Sequence, residues 1–210
     1  MGRRDITALL GAARCPSSLK PQDVGLWSIR RRRVPEHPVG AAMFRVLTGG
    51  YDYQTVLHRM TEATMHTDGE IVMEDSRQEL SRHLPIWLAA RGRVLVSGLG
   101  LGCVVRALLT LPEVEHVDVI ELDRKLIDVV GAEFAGSRVT IYHDDALRFD
   151  PERRQRWHYA WHDIWCEGNG LQLLHMRLLD RYRNRVYMAQ GAWMLPRFVK
   201  RTLAHWNLIG

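Results

Sequence analysis

Ser97-Gly98-Leu99-Gly100-Leu101-Gly102 sets glycines at alternate positions between an apolar run and an amphipathic stretch. Glycines at such a junction allow a tight turn and let a ligand approach bare backbone, and the N-terminus of the helix that follows offers amide donors. A dinucleotide fingerprint reads GxGxxG and needs Gly or Ala at position 103, where this chain has Cys103. The loop is therefore GxGxG, which argues against a pyrophosphate ligand. Glu121 closes the next apolar run about 20 residues beyond the glycines, the distance at which an acid accepts from the two hydroxyls of a ribose. Asp123 is the alternative, although its place ahead of Arg124 also suits a helix cap. His143-Asp144-Asp145-Ala146 follows the third apolar run. There Asp145 is the better candidate to accept from an exocyclic amine while an adjacent backbone amide meets a ring nitrogen, and helix capping by Asp144 or Asp145 is the competing role.

These residues need elements that hold them. From Arg93 onward short apolar runs alternate with amphipathic stretches, the signature of βαβ units. The strands expected are Val94-Leu95-Val96, Val117 to Ile120, Val139 to Tyr142, Trp157 to His162 and Arg185 to Met188; the helices are Val104 to Leu111, Arg124 to Phe134, Leu171 to Tyr182 and a last stretch near Leu195 to His205. The fold expected is α/β, a Rossmann-like doubly wound, mostly parallel sheet with helices on both faces. Ahead of it, Leu80, Leu84, Trp87 and Leu88 give Ser76 to Ala89 helical spacing. Tyr51 to Met60 and Thr64 to Glu74, around Thr67-Asp68-Gly69, read as extended segments or a hairpin. The division expected is a flexible basic arm over 1–37, a strand or hairpin segment over 38–75, and a Rossmann-like domain over 76–210.

Composition narrows the classes. Of 210 residues 46% are hydrophobic and 25% charged, the balance of a globular protein. With 17 Gly and 8 Pro the chain is neither collagen-like nor of low complexity, and no apolar run approaches the ~18 residues of a membrane span, so no membrane partner is expected. The net charge of +5 is only mildly basic. Its densest cluster, Arg30 to Arg33, reads as exposed charge in a linker, and Arg153, Arg154 and Arg156 as a loop. Cys15, Cys103 and Cys166 form no CxxC pair, so neither a disulfide framework nor a zinc site is indicated, and a reducing cytoplasm is expected. Arg3, Arg4 and Ile6 to Ala13 are too short, and lack the cleavage site, for a targeting signal.

Together, Val94-Leu95-Val96-Ser97-Gly98-Leu99-Gly100-Leu101-Gly102, Val119-Ile120-Glu121-Leu122-Asp123 and Asp145-Ala146 resemble the class I S-adenosylmethionine-dependent methyltransferase fold. Within it the chain looks most like the spermidine-synthase branch, through Arg106, through Ile120-Glu121-Leu122-Asp123 in place of that branch's Glu-Ile-Asp, and through Glu79 with His83-Leu84-Pro85. The resemblance covers about residues 70 to 165. It implies that Gly98, Gly100 and Gly102 lie under the methionine part of S-adenosylmethionine, that Glu121 binds the ribose and that Asp145, with Ala146, meets the adenine.

In those families the fourth strand ends at the reaction centre, which here is Trp161-His162-Asp163-Ile164-Trp165. Aligning Trp157 with the aromatic that opens this strand in spermidine synthases puts Asp163 on their catalytic aspartate, which orients and deprotonates an amine. Their Asp-Ser-Ser-Asp-Pro type of loop is replaced by Asp163-Ile164-Trp165-Cys166-Glu167-Gly168-Asn169, so the polyamine-binding acids do not carry over. The resemblance thus implies methyl transfer to a small-molecule acceptor, with aminopropyl transfer from decarboxylated S-adenosylmethionine as the runner-up and a catalytically silent binding module as a third reading. A nucleic-acid acceptor is not favoured, since no Asn-Pro-Pro-Tyr-like tetrad follows the fourth strand. On a strand His162 faces away from Asp163 and is expected to be packed or solvent-facing, while Trp161 and Trp165 read equally as an aromatic wall or as core. No metal site and no nucleophilic cysteine are expected. The acceptor and the oligomeric state stay open.

Overall fold

The computed structural model describes residues 4–34, 52–61, 69–165, 171–193, 199–201 and 206–208. The central strand β5 (Gly92–Ser97) is flanked by β6 (Val114–Glu121) and β8 (Trp157–His162), with β7 (Val139–His143) beyond β6 and β9 (Val186–Ala192) beyond β8. All four of these pairings are parallel. The chain therefore winds outward on one side through β5, β6 and β7, returns to the middle, and winds outward on the other through β8 and β9. In such a sheet a ligand crevice opens at the carboxyl ends of the strands where the order reverses, here between β5 and β8.

Both faces of the sheet are covered, and the sequence of β5 shows why. Val94 and Val96 point into one core with Val104, Val105 and Leu108 of α4 (Cys103–Leu109), whereas Leu95 points into another with Leu178 and Tyr182 of α6 (Leu171–Tyr182). A strand buried on both faces reads as a continuous apolar run, which is how Val94-Leu95-Val96 reads. The helix expected from Arg124 to Phe134 is α5 (Arg124–Val129) followed by a 3₁₀ turn at Gly131–Phe134.

The last helical stretch, expected near Leu195 to His205, is corrected. Where that region is described it holds strands β10 (Val199–Arg201) and β11 (Trp206–Leu208), which pair antiparallel with each other, and β10 pairs antiparallel with β9. The open edge of β9 overrides the local helical spacing, because pairing supplies its unpaired amides and carbonyls with partners.

The stretch from Ser76 to Ala89 splits into α2 (Arg77–Ser81) and α3 (Leu84–Ala89). Ser76 caps the first by accepting from the Glu79 amide at 3.2 Å, and Pro85 stands in the first turn of the second, where its missing N–H costs nothing.

The reading of 1–37 as a flexible arm is also corrected for the residues described there. Asp5 caps α1 (Ile6–Ala13), and Leu9, Leu10 and Ala13 are buried in the same core as α4. The Arg4 guanidinium donates to the carbonyls of Trp87 and Ala90 at 2.6 and 2.7 Å. Strands β1 (Gln22–Val24), β2 (Trp27–Arg33), β3 (Tyr53–Arg59) and β4 (Glu70–Glu74) make a four-stranded antiparallel sheet, so the expected hairpin is the second half of a larger unit. Its turn at Thr67-Asp68 lies outside the described residues. The Arg30 to Arg33 cluster is the end of β2 rather than a linker, with Arg30 paired to Asp23 at 2.7 Å and Arg32 to Glu74 at 2.6 Å. Neighbouring strands supply the countercharge that makes four successive arginines tolerable in a strand.

Candidate functional site

A cleft of about 440 Å³ opens at the carboxyl ends of β5, β6, β7 and β8, and the antiparallel sheet covers it through Trp27, Arg59 and Met73. Gly98, Gly100, Glu121, Asp145, Ala146 and Asp163 all line it. Gly102 does not. It is the N-cap of α4 at φ +78°, and a β-carbon there would meet the Phe134 ring at 2.9 Å. Its glycine is required by backbone conformation and close packing behind the loop.

The β6 end of the cleft is built from backbone. Gly98, at φ +93°, lies so close to the end of β8 that a β-carbon would come within 2.1 Å of the Asp163 carbonyl oxygen. One Glu121 oxygen accepts from the Leu99 amide at 2.7 Å and the other from the Asp123 amide at 2.8 Å. Glu121 thus braces the glycine loop and keeps lone pairs turned to the cleft. Burial pushes its carboxyl above the usual range, against the pull of those amides. From behind, Arg106 grips Glu133 at 2.6 and 2.8 Å and donates to the Leu101 carbonyl at 2.7 Å. Asp123 does cap α5, accepting from the Lys125 amide at 2.8 Å, and also receives the Trp27 indole N–H at 2.7 Å. Asp145 accepts from the Leu147 amide at 2.8 Å, a local turn bond that leaves its second oxygen facing Arg148 at 3.6 Å. Between Glu121 and Asp145 the lining is apolar, from Ile120, Leu122, Ala146 and Leu147.

The β8 end is built from side chains. The Asp163 amide donates to the Ser97 carbonyl at 2.7 Å, which fixes the strand end, and the carboxyl keeps 15% of its surface open to the cleft. Burial, and after it the negative charge of Glu79, push its pKa up to about 7. Glu79, on α2, is itself raised by burial; it accepts from the Trp193 indole at 2.5 Å and pairs with Arg82 at 3.4 Å. Trp165 meets Trp27 edge to face with centroids 6.1 Å apart, and Arg59 lies 4.8 Å over the Trp27 ring.

The structure separates residues that the sequence left joined. Trp161 is core, 1% exposed, so of the two candidate wall tryptophans only Trp165 lines the cleft. Of the two expectations for His162 it is the packed one that holds: it lies between Ser97 Oγ at 2.9 Å and Gln190 Oε1 at 3.2 Å, and burial lowers its pKa to about 4. Trp27, Arg59, Met73 and Trp193 were not candidates; they lie far from the glycine loop in sequence, and no local spacing marks them. Cys166 and its following loop lie outside the described residues. Among the described residues no cluster could hold a metal ion, and no helix is long and apolar enough to cross a membrane.

A crevice at the switch point, a GxGxG loop and an acid closing the second strand stand together. The parallel sheet, with helices on both faces, has a Rossmann-like fold. No family model matches the chain. It is 35% identical over 94 residues to a polyamine aminopropyltransferase of Agathobacter rectalis, covering 39% of this chain and 33% of that protein. It is 40% identical over 53 residues to ribosomal RNA small subunit methyltransferase A of Nitrosospira multiformis, covering 25% and 20%. A dimethyladenosine transferase from Plasmodium falciparum is similar in structure at a TM-score of 0.41 and 18% identity, over 56% of this chain and 41% of that one. The chain spans about a third or less of the length of the curated relatives it matches.

Proposed function

We propose that the chain is an S-adenosylmethionine-dependent methyltransferase acting on a small-molecule acceptor whose nucleophile carries a proton, with Asp163 as the base. The observation that carries the proposal is the Asp163 carboxyl, poised near neutral pH at the end of β8, in the same cleft as Glu121 and Asp145. A base matched to ambient pH is the most effective one. The residues fit the donor: Gly98 and Gly100 present backbone without a β-carbon to the cleft, Glu121 suits two ribose hydroxyls, and the slot of Ile120, Leu122, Ala146 and Leu147, ended by Asp145, suits a flat base with an exocyclic amine. When bound, the donor supplies an activated carbon on sulfur. The chain's own residues then orient the acceptor, exclude water with Trp27, Trp165 and Trp193, and take up its proton at Asp163.

A second reading, aminopropyl transfer from decarboxylated S-adenosylmethionine, is favoured by the charge of the lining. Among the described residues Glu79, Glu121, Asp123, Asp145 and Asp163 face the cleft against Arg59 alone, a balance that suits a donor without a carboxylate. The partial likeness to polyamine aminopropyltransferases points the same way. A nucleic-acid acceptor is less well supported, because the heads of Arg30 and Arg32 are engaged by Asp23 and Glu74. Cys15 and Cys103 as free thiols are compatible with a reducing cytoplasm.

Calorimetry with S-adenosylhomocysteine, S-adenosylmethionine and its decarboxylated form tests the proposal. Binding of the first two with little affinity for the third supports methyl transfer, and the reverse supports aminopropyl transfer. No binding by folded protein removes both. Donor binding without turnover on any amine or hydroxyl acceptor supports a silent module.

A further inference from the structure

We propose that His83 is a positioning residue for Asp163, its Nε2–H held toward that carboxyl by the Trp161 indole so that it orients Asp163 and favours its ionised form.

The tautomer follows from the packing. The Trp161 indole N–H lies 3.2 Å from His83 Nδ1, so Nδ1 must be the acceptor. Burial, and after it the charge of Arg82, lower the His83 pKa to about 3, so the ring is neutral. Its single proton therefore sits on Nε2. That nitrogen is buried, has no hydrogen-bond partner among the described residues, and lies 3.9 Å from Asp163 Oδ2. A buried donor without a partner is costly, and structures rarely retain one unless it serves something. A movement of Asp163 by about 1 Å closes the gap to an ordinary hydrogen bond.

The ring itself has little freedom. It is fully buried, 5.5 Å from the Trp87 ring and 5.9 Å from the Trp161 ring, centroid to centroid. The break between α2 and α3 places it there, as the N-cap residue of α3 ahead of Pro85. The other titratable groups around this pair are Glu79, whose charge raises Asp163; Arg82, which pairs with Glu79; and His175 of α6, whose pKa burial lowers, beside the Ile164 backbone. Asp163 is thus poised between opposing influences, burial and Glu79 favouring the acid and the His83 N–H favouring the carboxylate. With one oxygen committed to His83, the other is left to face an acceptor's proton. The part played in a reaction rests on the role proposed for Asp163, whereas the coupling of the two side chains does not.

The test is nuclear magnetic resonance on the full chain, with nitrogen-labelled histidine and carboxyl-labelled aspartate, Asp163 being assigned through Asp163→Asn. In the unmodified protein His83 should stay neutral with the proton on Nε2 from about pH 5 to pH 9. A proton on Nδ1, or an imidazolium, overturns the proposal without any variant having to fold. In His83→Phe the Asp163 titration midpoint should rise by about one pH unit, a tenfold gain in proton affinity. His83→Gln, which keeps an N–H donor, should bring it part of the way back. An unmoved midpoint in folded His83→Phe overturns the proposal. A protein that shows the shift but binds no S-adenosylhomocysteine keeps the positioning pair and loses the transferase reading.

Discussion

At the β6 end of the cleft the polar groups are backbone amides and a carboxylate already satisfied by them, Glu121 with Leu99 and Asp123; at the β8 end they are side chains, Asp163, Glu79 and His83, and the His83 Nε2 has no hydrogen-bond partner among the described residues. The first end is contiguous, a loop and two strand ends between residues 97 and 123. The second is gathered from α2, the start of α3, the end of β8 and Trp193. A holding site gains from groups that need no reorganisation when a ligand arrives. A reacting site needs groups whose charge is costly enough to change at neutral pH, and only desolvation and like charges brought from separate elements raise a carboxyl that far.

The sharpest way to break this contrast is Asp163→Asn. It should lower turnover by ~10²- to 10⁴-fold while donor affinity is unchanged, measured by steady-state kinetics beside calorimetry. Equal loss of both would mean that the ends are not separate. Gly98→Ala attacks the point where they meet. A β-carbon would fall 2.1 Å from the Asp163 carbonyl oxygen, at a φ of +93° that L side chains rarely adopt. Strain and overpacking should together cost about 2 to 4 kcal/mol in urea unfolding, and a near-neutral result would mean that the two strand ends move apart freely.

Glu121→Ala should weaken donor binding by about 1.5 to 3 kcal/mol. It should also lower thermal stability, because the Leu99 and Asp123 amides lose their acceptor. Glu121→Gln keeps one acceptor oxygen and should recover part of the stability. A Glu121→Ala protein that is as stable as the original would contradict the bracing role.

The smallest effect expected is on the pH dependence of stability. The pKa of Asp163 rises from 3.8 to about 7 on folding, so between those values the folded state binds the proton more tightly and stability falls as pH rises. His162, lowered from 6.5 to about 4, acts oppositely, and stability is lost as pH falls through that window. Asp163→Asn should therefore stabilise the protein at pH 8 relative to the original by about 1 kcal/mol, given solvent screening at the open cleft, and much less at pH 5. Equal gains at both values would remove the raised pKa from the account.

Much of the parallel sheet was legible because each βαβ unit is specified locally: Val94-Leu95-Val96 can only be a strand buried on both faces, and glycines directly after it can only be a loop open to a ligand. Glu121 and Asp145 were legible for the same reason, since a strand end locates its last residue. That Gly102 packs behind the loop and not on the cleft was not legible, because three equally spaced glycines look alike in sequence while their φ angles and neighbours differ. The expectation of a flexible arm over 1–37 fails where the residues are described, because Trp27 and Ile29 give only a brief apolar alternation before four arginines, and the countercharges sit on other strands.

The amino-acid sequence by itself thus determined the order of strands and helices from β5 to β9, the glycine loop and the acids that close β6 and follow β7, all consequences of hydrophobic period and of turn chemistry over a few residues. Only the tertiary structure decided that Trp27, Met73 and Trp193 line the same cleft as that loop, that His83 turns a lone N–H toward Asp163, and that Glu79 stands near enough to raise it. Desolvation and Coulomb interaction depend on distances between side chains far apart in the chain, and folding is what sets those distances.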